Sequence, residues 1–187
     1  FSCCISCIYK TFYFLLYILS LLMKYRKLNI EELKELEKEF IQFLASNTVT
    51  GPDWEKIKTE KPERAEELIE MFSDIVMEKA LTNIKYLEHI SPKSIKSFWF
   101  QKEKVTLVGI DADPNEQVDF TQPEGLKRLT EATANSRPLK VYLTDKDFQK
   151  SREEEVYTML QNGCSIIKPE QFKAMHDMYQ STQTQKN

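Results

Sequence analysis

The stretch that decides the fold is Ser94-Ile95-Lys96-Ser97-Phe98-Trp99-Phe100. It is followed, after Gln101-Lys102-Glu103-Lys104, by Val105-Thr106-Leu107-Val108-Gly109-Ile110-Asp111. Both arms are rich in β-branched and aromatic residues, and the four polar residues between them are a hairpin-length connection. Strand side chains alternate between faces. Ile95 and Trp99 therefore point one way and Phe98 and Phe100 the other, while Val105 and Leu107 oppose Val108 and Ile110. Apolar residues fall on both faces of the hairpin, so helices are expected on either side of it.

Upstream, the period is helical. Asn29 caps a first turn with Glu32 at the reciprocal capping-box position, and Ile30, Leu33, Leu36, Phe40, Phe43 and Leu44 recur at three- and four-residue intervals. This predicts a helix over 30–46, ended by Asn47 in a left-handed turn. Pro52 opens a second helix over 52–60, and Pro62 a third over 62–88 whose apolar stripe runs from Ala65 through Ile84 and Leu87. Downstream, Asp111–Asn115 reads as a loop, Gln117–Phe120 as a short strand and Pro123–Ala134 as a helix. Strand 139–144, helix Arg152–Gln161, an extended Ser165–Ile167 and a last helix from Pro169 to about Tyr179 complete the chain. The expected class is α+β: amphipathic N-terminal helices, a small mainly antiparallel sheet (hairpin 94–111 plus strand 139–144) and C-terminal helices.

Composition changes abruptly at Met23. Residues 1–22 hold Cys3, Cys4 and Cys7, one charge (Lys10) and no acid, Gly, Ala, Val, Pro or Arg. Beyond them only Lys10 is lost from the 26 basic and 29 acidic residues of the chain, leaving a net charge of −4. The apolar Thr11–Leu22 has no small-residue cleavage site after it, as an export signal requires. It reaches membrane-spanning length only if Cys3–Tyr9 is included and Lys10 tolerated. Read as translated AT-rich upstream sequence, 1–22 is a doubtful leader, 23–180 a single α+β domain and 181–187 a polar tail. On that reading there is no membrane segment, and Cys164 as the one remaining cysteine points to a reducing, cytoplasmic setting.

Several classes of function find no support. The mild acidity lacks the basic face that nucleic acid requires, so nucleic acid is an unfavoured partner. There is no phosphate loop, GxSxG, HExxH or dinucleotide fingerprint, and no cofactor or metal site is expected. Asp111-Ala112-Asp113-Pro114-Asn115-Glu116 fails as a calcium loop, because Glu116 and Gln122 stand where Gly and Glu are needed.

Three features remain. On the predicted third helix, Asp74, Glu78, Lys85, Glu88 and His89 fall within an arc of about 100°. Asp74, Glu78, Glu88 and His89 are therefore candidate catalytic residues for metal-dependent or acid–base chemistry. The same arc lies opposite the apolar stripe, as on any solvated helix face. Lys93, Lys96, Lys102 and Lys104 surround the hairpin aromatics, a pattern for RNA or single-stranded DNA contact through 93–104 or for edge-strand protection. Trp54, Lys96, Trp99, Lys102 and Lys104 are candidate partner contacts. The favoured reading is a non-enzymatic cytoplasmic binding or adaptor domain that meets another protein or a second copy of itself.

Met23-Lys24-Tyr25-Arg26-Lys27-Leu28 followed by Phe40-Ile41-Gln42-Phe43-Leu44-Ala45 resembles the opening of a small bacterial family of uncharacterised proteins. Phe72-Ser73-Asp74, Tyr86-Leu87-Glu88-His89 and Gln161-Asn162-Gly163 are similar too. The resemblance implies a start at Met23 and a compact intracellular α+β domain. It transfers no catalytic residue.

Overall fold

The computed structural model describes residues 24–125, 127 and 139–184. The leader over 1–22 and most of the helix expected at Pro123–Ala134 lie outside the described residues. The chain divides into two compact units, one up to Lys79 and one from Ala80.

In the first unit, α1 (Ile30–Glu35) starts at the expected capping box: Asn29 Oδ1 accepts from the Glu32 amide at 2.9 Å and Glu32 Oε2 from the Asn29 amide at 2.8 Å. The expected single helix over 30–46 breaks at Leu36 (φ −103°, ψ 21°) and resumes as α2 (Glu37–Ser46). The left-handed residue after it is Thr48 (φ 59°), not Asn47. α3 (Gly51–Glu60) is capped by Thr50 with Asp53, and α4 (Pro62–Thr82) follows. Leu44, Ala65, Leu68 and Phe72 are buried with Tyr25 and Leu28. Around them Phe40 meets Phe72 at 5.0 Å and the edge of Trp54 at 5.3 Å.

The main correction to the sequence reading falls at the end of α4. The helix stops at Thr82, and Tyr86–Ser91 is strand β1. Ile84 and Leu87 continue the helical stripe, but Ile84, Tyr86 and Ile90 equally suit a strand. β1 forms six ladder pairs with β2 (Ser94–Phe100), from Tyr86↔Trp99 to Ser91↔Ser94, and this non-local pairing overrides the local period. β3 (Lys104–Asp111), β4 (Lys140–Asp147) and the two-residue β5 (Ser165–Ile166) complete an antiparallel sheet of order β4-β3-β2-β1-β5.

The register places Tyr86, Glu88, Ile90, Ile95, Ser97, Trp99, Val108 and Ile110 on one face. Helix α6 (Pro169–Thr184) packs there through Phe172 and Met175, around a core that includes Ile95, Val108, Ile110, Ala112 and Phe120. α6 runs past Tyr179 into the expected tail. Gln117–Phe120 is not a strand: it carries no ladder, and its Phe120 amide donates to the Pro92 carbonyl at the β1–β2 turn at 3.0 Å. The second face is apolar at one end (Leu87, Phe98, Phe100, Val105, Leu107) and polar at the other (His89, Lys96, Ser94, Asp111, Tyr142). Phe148 stacks on Phe100 at 6.1 Å, and Arg152 of α5 (Arg152–Gln161) lies over the same ring at 5.8 Å.

Candidate functional site: a cleft at the β2–β3 turn

The turn between β2 and β3 is closed by the Gln101 amide donating to the Lys104 carbonyl at 2.9 Å. The Phe100 amide donates to the Lys85 carbonyl at 2.8 Å, which brings the approach to β1 alongside. Because side chains alternate, Trp99 and Phe100 leave the strand on opposite faces. Phe100 is buried, whereas Trp99 is 37% exposed, stacked on Tyr86 at 6.3 Å with Phe172 tilted against it at 6.1 Å. Trp99 is thus a rigid aromatic surface, fixed by neighbouring rings.

Arg152 reaches the same place from α5. A capping box of Ser151 and Glu154 sets the start of that helix and fixes where its first residue projects. The guanidinium donates from Nε to the Gln101 carbonyl at 3.1 Å, from Nη1 to the Leu81 carbonyl at 3.3 Å and from Nη2 to the Ile84 carbonyl. Leu81 and Ile84 lie where α4 ends and the regular helical ladder stops, with the Leu81 carbonyl also accepting from the Ile84 amide at 3.1 Å. Arg152 therefore works as a clamp on the α4 terminus, and its ion pair with Glu153 at 3.2 Å offsets its charge. Thr82 Oγ1 donates to the same Glu153 carboxylate at 3.4 Å.

These residues enclose an open cleft of about 740 Å³ lined by Thr82, Lys85, Trp99, Gln101, Lys102 and Arg152, among others. Arg152 and Glu153 are committed to each other and to backbone. Lys85 and Lys102 have no ion-pair or side-chain hydrogen-bond partner among the described residues. The lining of the cleft thus includes Trp99, which is partly exposed, and two lysines with unspent ammonium groups.

The candidate catalytic residues do not share one helix face. Asp74 and Glu78, one turn apart on α4, hold the segment before α1. Asp74 accepts from the Lys24 and Tyr25 amides, both at 2.9 Å, and Glu78 accepts from Lys24 Nζ at 2.8 Å and from Tyr25 Oη at 2.5 Å. Glu88 and His89 are neighbours on β1 and so project from opposite faces. Glu88 accepts from Ser97 Oγ at 2.9 Å, while His89 lies across from Lys96. Among the described residues, no group of three or more His, Cys, Asp or Glu is placed to hold a metal ion.

The hairpin lysines are dispersed as well. Lys104 pairs with Asp145 at 2.5 Å, and this hydrogen bond, with a second from Thr106, holds the Asp145 carboxyl below its usual range. Lys93 Nζ donates to the Glu116 carbonyl. Lys96 lies at the far end of the sheet from Lys102. Trp54 is half-buried against Phe40, with Lys58 over its ring at 5.9 Å. Burial raises the Cys164 thiol above its ordinary value, away from nucleophilic reactivity.

The profile of a family of unknown function matches residues 23–180. The chain belongs to that family, DUF6495. The DUF6495 match includes both the Asp74–Glu78 mooring and every residue of the cleft. No curated protein and no solved structure matches the chain. Among the described residues of this DUF6495 member, no helix is long and apolar enough to cross a membrane. Arg152 is the cleft residue that sequence reasoning missed. Its signal was present: Ser151-Arg152-Glu153-Glu154 is a capping-box sequence that places an arginine at the first helical position.

Proposed function

We propose that this DUF6495 member is a non-enzymatic cytoplasmic binding module, and that the cleft at the β2–β3 turn receives a protein segment carrying acidic and aromatic side chains. The observation that carries this reading is the pairing of exposed Trp99 with unpartnered Lys85 and Lys102. In a chain of net charge −3, this local excess of uncommitted cations selects an anionic partner. Magnitudes divide the work. Exposed ion pairs contribute about 0.2–1 kcal/mol each, so the lysines supply selectivity and orientation. A buried tryptophan anchor contributes about 2 kcal/mol or more, so Trp99 supplies most of the affinity. The open shape favours an extended chain that passes through over a small molecule enclosed on all sides.

Nucleic acid is the weaker reading because Lys93 and Lys104 are already committed and Lys96 is remote, which leaves no continuous basic track. The test is fluorescence anisotropy with short labelled peptides and oligonucleotides. Acidic peptides that contain an aromatic residue are expected to bind, neutral peptides and oligonucleotides not. Trp99→Ala should weaken peptide binding by roughly thirtyfold. Tighter binding of the oligonucleotide than of any peptide would replace this reading with the nucleic-acid one.

A further inference from the structure

At the opposite end of the sheet, the second face carries a polar grid that the cleft does not use. One row across the strands is His89↔Lys96↔Gly109↔Tyr142, and the next is Ser91↔Ser94↔Asp111↔Lys140. Neighbouring strands are about 4.8 Å apart, so Lys96 and Tyr142 stand roughly 10 Å apart with only Gly109 between them. That glycine is required. A Cβ there would lie 2.2 Å from Tyr142 Cζ and 2.5 Å from its Oη, so the Tyr142 ring occupies the space a side chain would fill. The ring forms a floor, and Lys140 Nζ is 5.8 Å from its centre.

Some of the polar groups in this grid are already spent on one another. Ser94 Oγ donates to Asp111 Oδ1 at 2.7 Å, and the Tyr142 hydroxyl bonds to the same Asp111 and Ser94 side chains. Asp111 is thereby occupied by the two hydroxyls. His89 and Lys96 face each other across β1 and β2 with no hydrogen-bond or ion-pair partner among the described residues, and both are half-buried. A partly desolvated imidazole beside an ammonium, with a second ammonium in the next row, has no acceptor oxygen bonded to it among the described residues, the one nearby carboxylate, Asp111, being engaged by Ser94. Lys96 and Lys140 against Asp111 leave the grid with an excess of positive charge.

We infer that this face is a second binding site, specific for a small oxyanion: a carboxylate or phosphate held by His89 and Lys96, with any attached ring resting on Tyr142. Its residues are all distinct from those of the cleft, so it stands or falls independently of the cleft reading.

The chain has two histidines, His89 and His176, and the second, on α6 against Phe172, is an internal control. The experiment is a titration of the full chain, followed by ¹⁵N-histidine NMR at constant pH and ionic strength, with inorganic phosphate, acetate and phenyl phosphate as probes. The expected result is saturable movement of the His89 resonances with His176 unmoved, tighter binding of phenyl phosphate than of inorganic phosphate, and at least roughly tenfold weakening in Lys96→Gln. Lys140→Gln serves as a second variant should Lys96→Gln lose the dispersed spectrum of the folded chain. Parallel or non-saturating movement of both histidines, or unchanged affinity in the folded variant, would show adventitious ion contact only and overturn the proposal. Preference for acetate or for phosphate identifies which oxyanion the grid accepts.

Discussion

Tyr25 Oη donates to Glu78 Oε2 at 2.5 Å, so a carboxylate that suggests chemistry in the sequence is a tether in the structure. Asp74, one turn earlier, accepts from the amides of Lys24 and Tyr25, and buried Ser73 accepts from the Leu28 amide at 3.1 Å. Two α4 side chains, Ser73 and Asp74, thus satisfy backbone amides of the segment that leads into α1, and Glu78 holds that segment's Lys24 and Tyr25 side chains. Asp74→Ala is expected to lower stability by about 1–3 kcal/mol in urea denaturation, because the Tyr25 amide is partly buried and loses its acceptor. Tyr25→Phe should cost less, and neither variant should alter peptide binding at the cleft. A stability change within experimental error in Asp74→Ala would contradict the tethering role.

Arg152 donates to three backbone carbonyls, those of Gln101, Leu81 and Ile84. Removing it takes a charge-assisted donor from each, although the Leu81 carbonyl keeps the Ile84 amide, so Arg152→Ala should cost about 1–3 kcal/mol. Arg152→Lys should recover less than half of that, since an ammonium cannot reproduce the planar fork of donors. Thermal unfolding of the three proteins at one pH checks the order.

The start of α1 should be sensitive to acid. The Arg26 guanidinium, hydrogen-bonded to Glu32, together with the Asn29 amide, holds the Glu32 carboxyl down to about 2, against an ordinary 4.5. A depressed folded-state value means the contribution is complete above about pH 4.5 and is lost as pH falls through about 2. Glu32→Gln should therefore be less stable than the natural chain at pH 6, with the gap closing between about pH 4.5 and 2. Acid titrations of both, monitored by helical circular dichroism, read this directly; a gap that widens on acidification would contradict it.

Gly109 and Tyr142 should be strongly coupled. Gly109→Ala forces the tyrosine ring off the sheet and is expected to cost about 1–3 kcal/mol. In Gly109→Ala/Tyr142→Ala the clash is absent, so the double variant should be less destabilised than the sum of the single ones. Additivity would mean that the ring does not depend on the missing side chain.

The hairpin was legible because its signals were local: Ser94–Phe100 is a strand with the expected bounds, and its aromatic residues leave on the expected faces. The α1, α3 and α5 starts follow from capping residues within four positions, although the Thr50 and Ser151 caps went unread. The end of α4 was not legible. Leu87 fits both a helical and a strand period, and what decides between them is its pairing with Phe98 and Ile166, which local sequence does not contain. The candidate site inherited that error, since placing Glu88 and His89 on a helix gave them a shared face that a strand denies them. The cleft depends likewise on Arg152 reaching back to Leu81 and Ile84, a contact across roughly 70 positions.

The most direct test of the binding reading uses Trp99 as its own reporter. Trp54 and Trp99 are the two tryptophans, and Trp54→Phe leaves Trp99 as the sole indole. Titrated with an acidic, aromatic-containing peptide, that protein is expected to show a saturable shift in Trp99 emission, and Lys85→Gln/Lys102→Gln should weaken the binding by roughly 2- to 30-fold. Unchanged Trp99 emission at peptide concentrations that saturate binding, or equal affinity for the neutral peptide, would contradict the account.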